Sequence, residues 1–197
     1  MSTKLASNDH PILDVLKHRW SPRAFADRPV DHETLRSLFE AARWTQSSAN
    51  EQPWRFLIAL RADTAWHEAL AKPLAAGNAW AKKAPVLGLA SAKATFSSSN
   101  QPNRVAIYDT GAAMMALTIQ ATSMDLHLHQ MAGFDVNMAR EVAQIPAGFD
   151  PVAMFALGYL GDPESLSPEL KARELAPRTR RPLSELVFSG GWNVPAL

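Results

Sequence analysis

Pro53-Trp54-Arg55-Phe56-Leu57-Ile58-Ala59-Leu60 is the stretch on which the fold turns. It is rich in aromatic and branched residues and is entered from a proline, so it reads as a strand over 54–60. Helices are expected on both sides of it. Upstream, Asp31 stands at a capping position, Val30 and Leu35 are at staple spacing, and Leu35, Leu38, Phe39 and Ala42 fall on one helical face. Downstream, Asp63 can cap a helix running through Leu70. Further out, Pro85 to Ala90 reads as a short buried strand and Ser97 to Asn103 as a polar loop. A long helix is expected over roughly 104–124, apolar on two sides, as suits a core or a subunit interface. Leu126 to Met131 alternates as a strand does, Asp135 can cap a helix through Ala143, and Val152 to Leu160 is the next strand. A first helix fits Pro11 to His18. Helices and strands alternate, so the pattern alone indicates α/β or α+β.

No internal repeat or composition break divides the 197 residues, and we read 1–197 as a single domain. From about 162 the chain turns polar, proline-rich and basic and ends in Gly190-Gly191-Trp192 and a short tail. That stretch reads as an extended arm, and its composition fits wrapping a neighbouring subunit and a disordered tail equally. Hydrophobic residues make up 47% and charged residues 20%, the balance of a globular protein. A formal net charge of +1 argues against a protein built to coat nucleic acid or an anionic membrane. The absence of cysteine excludes disulfides, iron–sulfur clusters and thiol nucleophiles, so any redox chemistry rests on a bound cofactor or metal. Met1 to His10 lacks the apolar core of a signal peptide, and no apolar run is long enough to span a bilayer. A cytoplasmic location is expected.

Four clusters carry candidate chemistry. Arg19-Trp20-Ser21-Pro22-Arg23 puts two guanidiniums and a hydroxyl around one point at a probable helix end, which suits a dianionic phosphate. Taken alone it also fits two solvated surface arginines. Ser47-Ser48-Ala49-Asn50-Glu51-Gln52 is crowded with amides and hydroxyls that match a heterocycle edge or a ribityl chain, and equally plain loop chemistry. At Met131-Ala132-Gly133-Phe134-Asp135 a strand ends, a glycine allows close main-chain approach and a helix begins. Arg178-Thr179-Arg180-Arg181-Pro182 is either a solvated basic tail or a source of further cations for the same phosphate. His127 and His129 share a strand face as metal ligands can, but no acidic residue or cysteine stands at matching spacing, which favours a non-metal role. Asp109, inside the long helix, reads as a buried functional charge, a paired one or an exposed one. There is no GxGxxG, P-loop or GxSxG pattern, which disfavours a Rossmann dehydrogenase and a P-loop hydrolase.

In order along the chain stand Arg19-x-Ser21-x-Arg23-x-Phe25, Ser48-x-Asn50-x-Gln52-Pro53-Trp54-x-Phe56, Tyr108-Asp109-Thr110-Gly111-x-Ala113, Gln130-Met131-Ala132-Gly133-Phe134-Asp135 and Gly158-Tyr159. Together they resemble the nitroreductase family of FMN-dependent oxidoreductases, from about Arg19 to Pro182. The resemblance implies an α+β fold, a mainly antiparallel sheet flanked by helices. It implies an intertwined homodimer with the long helix in the interface and an FMN in each of two interface pockets. Arg19, Ser21 and Arg23 match the family's phosphate-binding positions, and Arg178 and Arg180 its C-terminal basic positions. Asn50 and Gln52 match contacts to the ribityl chain and the ring's polar edge, and Ala132 and Gly133 match main chain near the flavin N5. The chain departs from the pattern with Trp20 and Pro22 inside the first motif, and with Asp125-Leu126 where the family often has Gly-Leu.

The function so implied is hydride transfer from NADH or NADPH through flavin N5 to a small planar acceptor such as a nitroaromatic or quinone, in a ping-pong cycle, with no side-chain nucleophile. The segment from Ala92 to Asn103 is the expected cover over the substrate. The alternatives are an FMN enzyme with specialised oxidative chemistry, a flavin-binding or storage protein with little turnover, and a small-molecule binder without flavin.

Overall fold

The computed structural model describes residues 4–197. Its centre is a four-stranded sheet, all antiparallel, in the order β1-β2-β4-β3. The strands are β1 Trp54–Leu60, β2 Val86–Lys93, β3 Leu126–Met131 and β4 Phe149–Tyr159. The helices are α1 Asp14–His18, α2 His32–Arg43, α3 Thr64–Ala71, α4 Ala106–Ser123, α5 Val136–Val142 and α6 Pro168–Leu175. The fold is therefore α+β, a mainly antiparallel sheet flanked by helices. No helix among the described residues is long and apolar enough to cross a membrane.

Both faces of the sheet are covered. Leu35, Leu38 and Ala42 of α2 and Ala113, Met114, Leu117 and Ala121 of α4 pack against Leu126, Leu128, Phe155 and Leu157 on one face. On the other, Leu70, Trp80 and Ala139 pack against Ala59, Leu87, Leu89, Met154 and Ala156. A strand buried on both faces needs no polar alternation, and β2 is buried from Val86 through Ala92. At Gly88 a side chain would run into the Phe155 ring, so glycine is required there.

The capping aspartates act as the sequence predicts. Asp31 accepts from Thr34 N at 2.7 Å, Asp63 from Trp66 N at 3.3 Å and Asp135 from Met138 N at 2.9 Å. Elsewhere the elements differ from expectation. Helix α1 begins only at Asp14, because Leu13 is extended. β2 runs on to Lys93, and β4 starts at Phe149 rather than Val152. Pro151 lies inside β4, and the register shift between Ala90 and Ser91 opposite it absorbs a residue that cannot donate to the ladder.

The stretch from about 162, expected as an extended arm, is not extended at its start. Asp162 caps a 3₁₀ turn over Pro163–Ser165, and Ser167 caps α6 with Pro168 in its first turn. Only from Ala176 does the chain become an exposed arm, interrupted by a 3₁₀ turn at Leu183–Glu185.

Candidate functional site

Residues 19–25 leave α1 and run along the edge of the sheet beside β3 and β4. His129 on β3 donates through Nδ1 to the Pro22 carbonyl at 2.8 Å. Phe25 bridges Leu160, Ala26 N donates to Tyr159 O at 2.9 Å, and Gly161 N donates to Ala24 O at 3.0 Å. The segment is thus pinned to the sheet rather than free in solvent. At its base Arg178 Nη1 donates to the carbonyls of Lys17 at 2.7 Å and Lys4 at 3.1 Å. This ties the C-terminal basic stretch to the end of α1.

The arginines divide into two groups. Arg19 is held below its ordinary pKa by burial first, and then by the nearby charges of Arg178 and Arg180. Arg178 is lowered by burial and by Arg180. Among the described residues, no carboxylate forms an ion pair with any of these three. Their mutual repulsion makes an anion-attracting patch, and Ser21 adds its hydroxyl, which lies 3.4 Å from Arg19 Nη1. Arg180's own Nη1 turns back on the Thr179 carbonyl at 2.6 Å. Arg23 stands apart. It is lowered by burial and by Arg173, is supported by Glu174, and sits 3.7 Å from the Glu174 carboxylate. The sequence pattern gave Arg19 and Arg23 equal weight and offered no signal for Glu174.

The Ser47–Gln52 loop is held in an unusual conformation. Ala49, Asn50 and Gln52 have φ of 52°, 54° and 51°, which non-glycine residues seldom adopt and which clusters at functional sites. Surrounding contacts fix it. Ser47 Oγ accepts from Gln52 N at 2.9 Å, and the buried Asp109 of α4 accepts from Ser48 N at 3.0 Å. Glu51 reaches Lys93 at 3.2 Å and Ser97 in the adjacent loop. Asp109 is therefore a buried charge that anchors this loop. Gln52 Nε2 donates to Asn50 Oδ1 at 3.2 Å, so the two amides are aligned with each other.

Ala132 and Gly133 are exposed just beyond β3. The Gly133 carbonyl accepts from Ala75 N at 3.1 Å and from Asn78 Nδ2 at 2.9 Å, and a side chain at Gly133 would meet Asn78 Nδ2 at 2.8 Å. His127 and His129 have other neighbours than a metal. His127 packs edge-on to Trp20 with ring centroids 6.0 Å apart, and His129 lies 4.6 Å from the Trp80 ring. Burial is the main cause that pushes each of them down to about 4.

One chain does not gather all these groups. The Asn50–Gln52 loop leads into β1, whereas Arg19–Arg23 and Ala132–Gly133 border β3, and β1 and β3 are the opposite edges of the sheet. Three strand spacings separate them, roughly 14 Å.

Structures of this kind, a four-stranded antiparallel sheet between helices with a cationic loop on its edge, form a class that comparison resolves further. The chain belongs to the nitroreductase family, whose family model matches residues 16–159. A Xanthomonas oryzae pv. oryzae protein named for NADH dehydrogenase and NAD(P)H nitroreductase activity is 33% identical over 167 residues, covering 74% of this chain and 82% of that one. The solved structure of an oxidoreductase containing FMN superposes with a TM-score of 0.89 at 33% identity, covering 97% of this chain and 98% of the other. A nitroreductase family protein from Clostridium difficile shares the fold with a TM-score of 0.71 at 23% identity, over 92% of this chain and 99% of its own.

Proposed function

We propose that this protein is an FMN-dependent, NAD(P)H-linked oxidoreductase that works as a homodimer on small planar acceptors such as nitroaromatics or quinones. The observation that carries the reading is the cluster of Arg19, Arg178 and Arg180 on the sheet edge, which has no carboxylate partner among the described residues. Such a cluster fits a phosphate dianion, and the left-handed loop with two aligned amides fits the polar part of a flavin. When bound, FMN supplies the hydride chemistry at its N5.

The chain's own residues bind and orient. Arg19, Arg178 and Arg180 hold the phosphate, with the Ser21 hydroxyl beside them. Arg23 adds charge from its place against Glu174. The main chain at Ala132 and Gly133 is exposed, which allows a flat ring to lie close. Asn50 and Gln52 serve the site of the second copy, since they lie on the opposite edge from their own chain's arginines. That separation favours a homodimer. Its support is the exposed apolar side of α4, where Tyr108 is 75% exposed beside Ile107 and Met115, with the exposed Trp44, just past the end of α2, lining a surface cleft together with Met115. The arm after Ala176, with Leu186, Val187 and Trp192 exposed, is suited to reach across a neighbouring subunit. NADH or NADPH and the acceptor use the same open face in turn, and the loop around Ser97 borders it.

The deciding measurement is an absorbance spectrum of the purified protein, followed by anaerobic titration with NADH and NADPH. A flavin spectrum that bleaches with either donor and recovers with an acceptor is expected. Protein that stays colourless after soaking in FMN overturns the reading. Bound flavin without turnover would make it a flavin-binding protein instead.

A further inference from the structure

Helix α6 buries one residue fully, and that residue is charged: Glu174 is 2% exposed. An amphipathic helix ordinarily docks through apolar side chains. Here a carboxylate enters the main chain of the Arg19–Arg23 segment. Its Oε2 accepts from Arg23 N at 2.9 Å, and its Oε1 from Arg23 N at 3.0 Å and Ala24 N at 3.2 Å. The same carboxylate faces the Arg23 guanidinium at 3.7 Å. The Glu174 carbonyl in turn receives Lys4 Nζ at 2.6 Å, and Lys4 lies over the Trp20 ring. A buried carboxylate is tolerated only when it is hydrogen-bonded and paired, and both conditions are met by residues of the loop that carries Arg19 and Ser21.

We propose that Glu174 is the positioning residue of the phosphate grip, fixing the main chain at Arg23 and Ala24 so that Arg19 and Ser21 present their polar ends to one point. The inference rests on the FMN reading above. In this role Glu174 acts through the loop, by its contacts to the main chain of Arg23 and Ala24. It also holds Arg23 against the protein, so that Arg19, Arg178 and Arg180, which have no carboxylate partner among the described residues, are the cations left to meet a phosphate. The sequence around it, Lys171-Ala172-Arg173-Glu174-Leu175, carries no mark of this role, because the pairing spans about 150 residues of chain.

The test compares FMN with riboflavin, which differ only in the phosphate. Dissociation constants for both are measured for the dimeric wild-type protein, for Glu174→Gln and for Glu174→Ala. The amide of Gln keeps an acceptor for the main-chain N–H groups but no longer attracts Arg23, while Ala removes both contacts. The preference for FMN over riboflavin should fall in that order, about threefold in Gln and at least about tenfold in Ala, with riboflavin affinity little changed. A merely structural role would weaken both ligands alike and leave the ratio intact, and that result overturns the proposal. So does tighter FMN binding on release of Arg23. If the Ala variant does not fold, the Gln ratio decides alone. Wild-type protein that binds neither ligand would instead overturn the FMN reading, and the proposal with it.

Discussion

Glu51 holds Ser97 at two points: its Oε2 accepts the Ser97 main-chain N–H at 2.8 Å and its Oε1 accepts the Ser97 hydroxyl at 2.6 Å. Lys93 completes the contact at 3.2 Å from the carboxylate and 2.5 Å from the Ser97 hydroxyl. The left-handed Ala49–Gln52 loop and the segment expected to border the substrate are therefore one mechanical unit.

Glu51→Ala should uncouple them. The loop would relax from three unfavourable φ values, and FMN affinity measured by fluorescence titration should weaken about tenfold, with Glu51→Gln between the two. Hydrogen bonds from Ser97 hold the Glu51 carboxyl down to about 2. A group depressed on folding stabilises above its unfolded pKa of about 4.5 and loses that contribution as pH falls toward 2. The clamp should thus be intact at every pH used for assay. A Glu51→Ala effect on flavin binding that vanishes at pH 5 would contradict this.

The cations without a carboxylate partner among the described residues should dominate phosphate recognition. Arg19→Ala and Arg178→Ala should each weaken FMN binding by about 1.5–3 kcal/mol, the scale of a charge-assisted hydrogen bond. Arg178→Ala should also lower the melting temperature, because Arg178 ties the Lys4 and Lys17 carbonyls together. Calorimetric titration beside thermal denaturation separates the two effects. Unchanged FMN affinity in both variants would place the grip elsewhere.

Much of this was legible in the sequence, and the reason is local physics. The caps at Asp31, Asp63 and Asp135 and the strands at 54–60 and 126–131 are set by neighbouring residues, so short-range patterns find them. The apolar run that marks β2 in the sequence ends at Ala90, yet pairing with β1 and β4 carries the strand through Ser91 to Lys93. Helix α6 has a sound start signal in Ser167-Pro168, but its polar composition resembles the arm that follows. For the candidate site, Arg19, Ser21, Asn50 and Gly133 stand out as candidates by residue type and by the family resemblance. Glu174, Glu51 and Ser97 do not, since their meaning comes from partners far away in the chain.

Acid should destabilise the protein through two histidines of β3, His127 buried and His129 half-buried. His127 and His129 are pushed down to about 4, mainly by burial, from an unfolded value of 6.5. Between those limits the unfolded chain binds more protons than the folded one. Their neutral burial therefore stabilises fully above pH 6.5 and is lost as pH falls toward 4, by up to a few kcal/mol together. Urea midpoints measured from pH 7.5 to 4.5 should fall along this limb. Replacing His127 with Phe, which keeps a ring against Trp20, should flatten the slope. An unchanged slope would mean the histidines titrate alike in both states.

Charge on the exposed side of α4 should separate subunits and cofactor together. Tyr108→Glu puts a carboxylate on the apolar surface and makes no change to the buried side of the helix. The homodimer reading expects a shift to monomer in sedimentation velocity and loss of bound flavin in the same fractions, because Asn50 and Gln52 reach only the other copy's arginines. Monomers that retain FMN would show that one chain suffices.

The turn before β3 offers a last test of how this chain accommodates an unusual residue. Asp125 has φ 59°, a left-handed conformation that glycine adopts freely, at the position where the family resemblance often places glycine. Aspartate tolerates this region better than most residues, so the strain is modest. Asp125→Gly should be neutral or stabilise by up to about 0.5 kcal/mol, because relief of strain is partly offset by greater freedom in the unfolded chain. Asp125→Val, with a branched side chain at positive φ, should destabilise by about 1–2 kcal/mol. The carboxylate has a second effect, since it raises the pKa of His127 against the larger influence of burial. Removing it should push His127 lower still, and Asp125→Gly should therefore lose stability more steeply than the wild type as pH falls from about 5 to 4, where wild-type His127 begins to protonate in the folded state, even while gaining at pH 7.5. Parallel urea curves for the two proteins across that range would show that Asp125 acts on the turn alone.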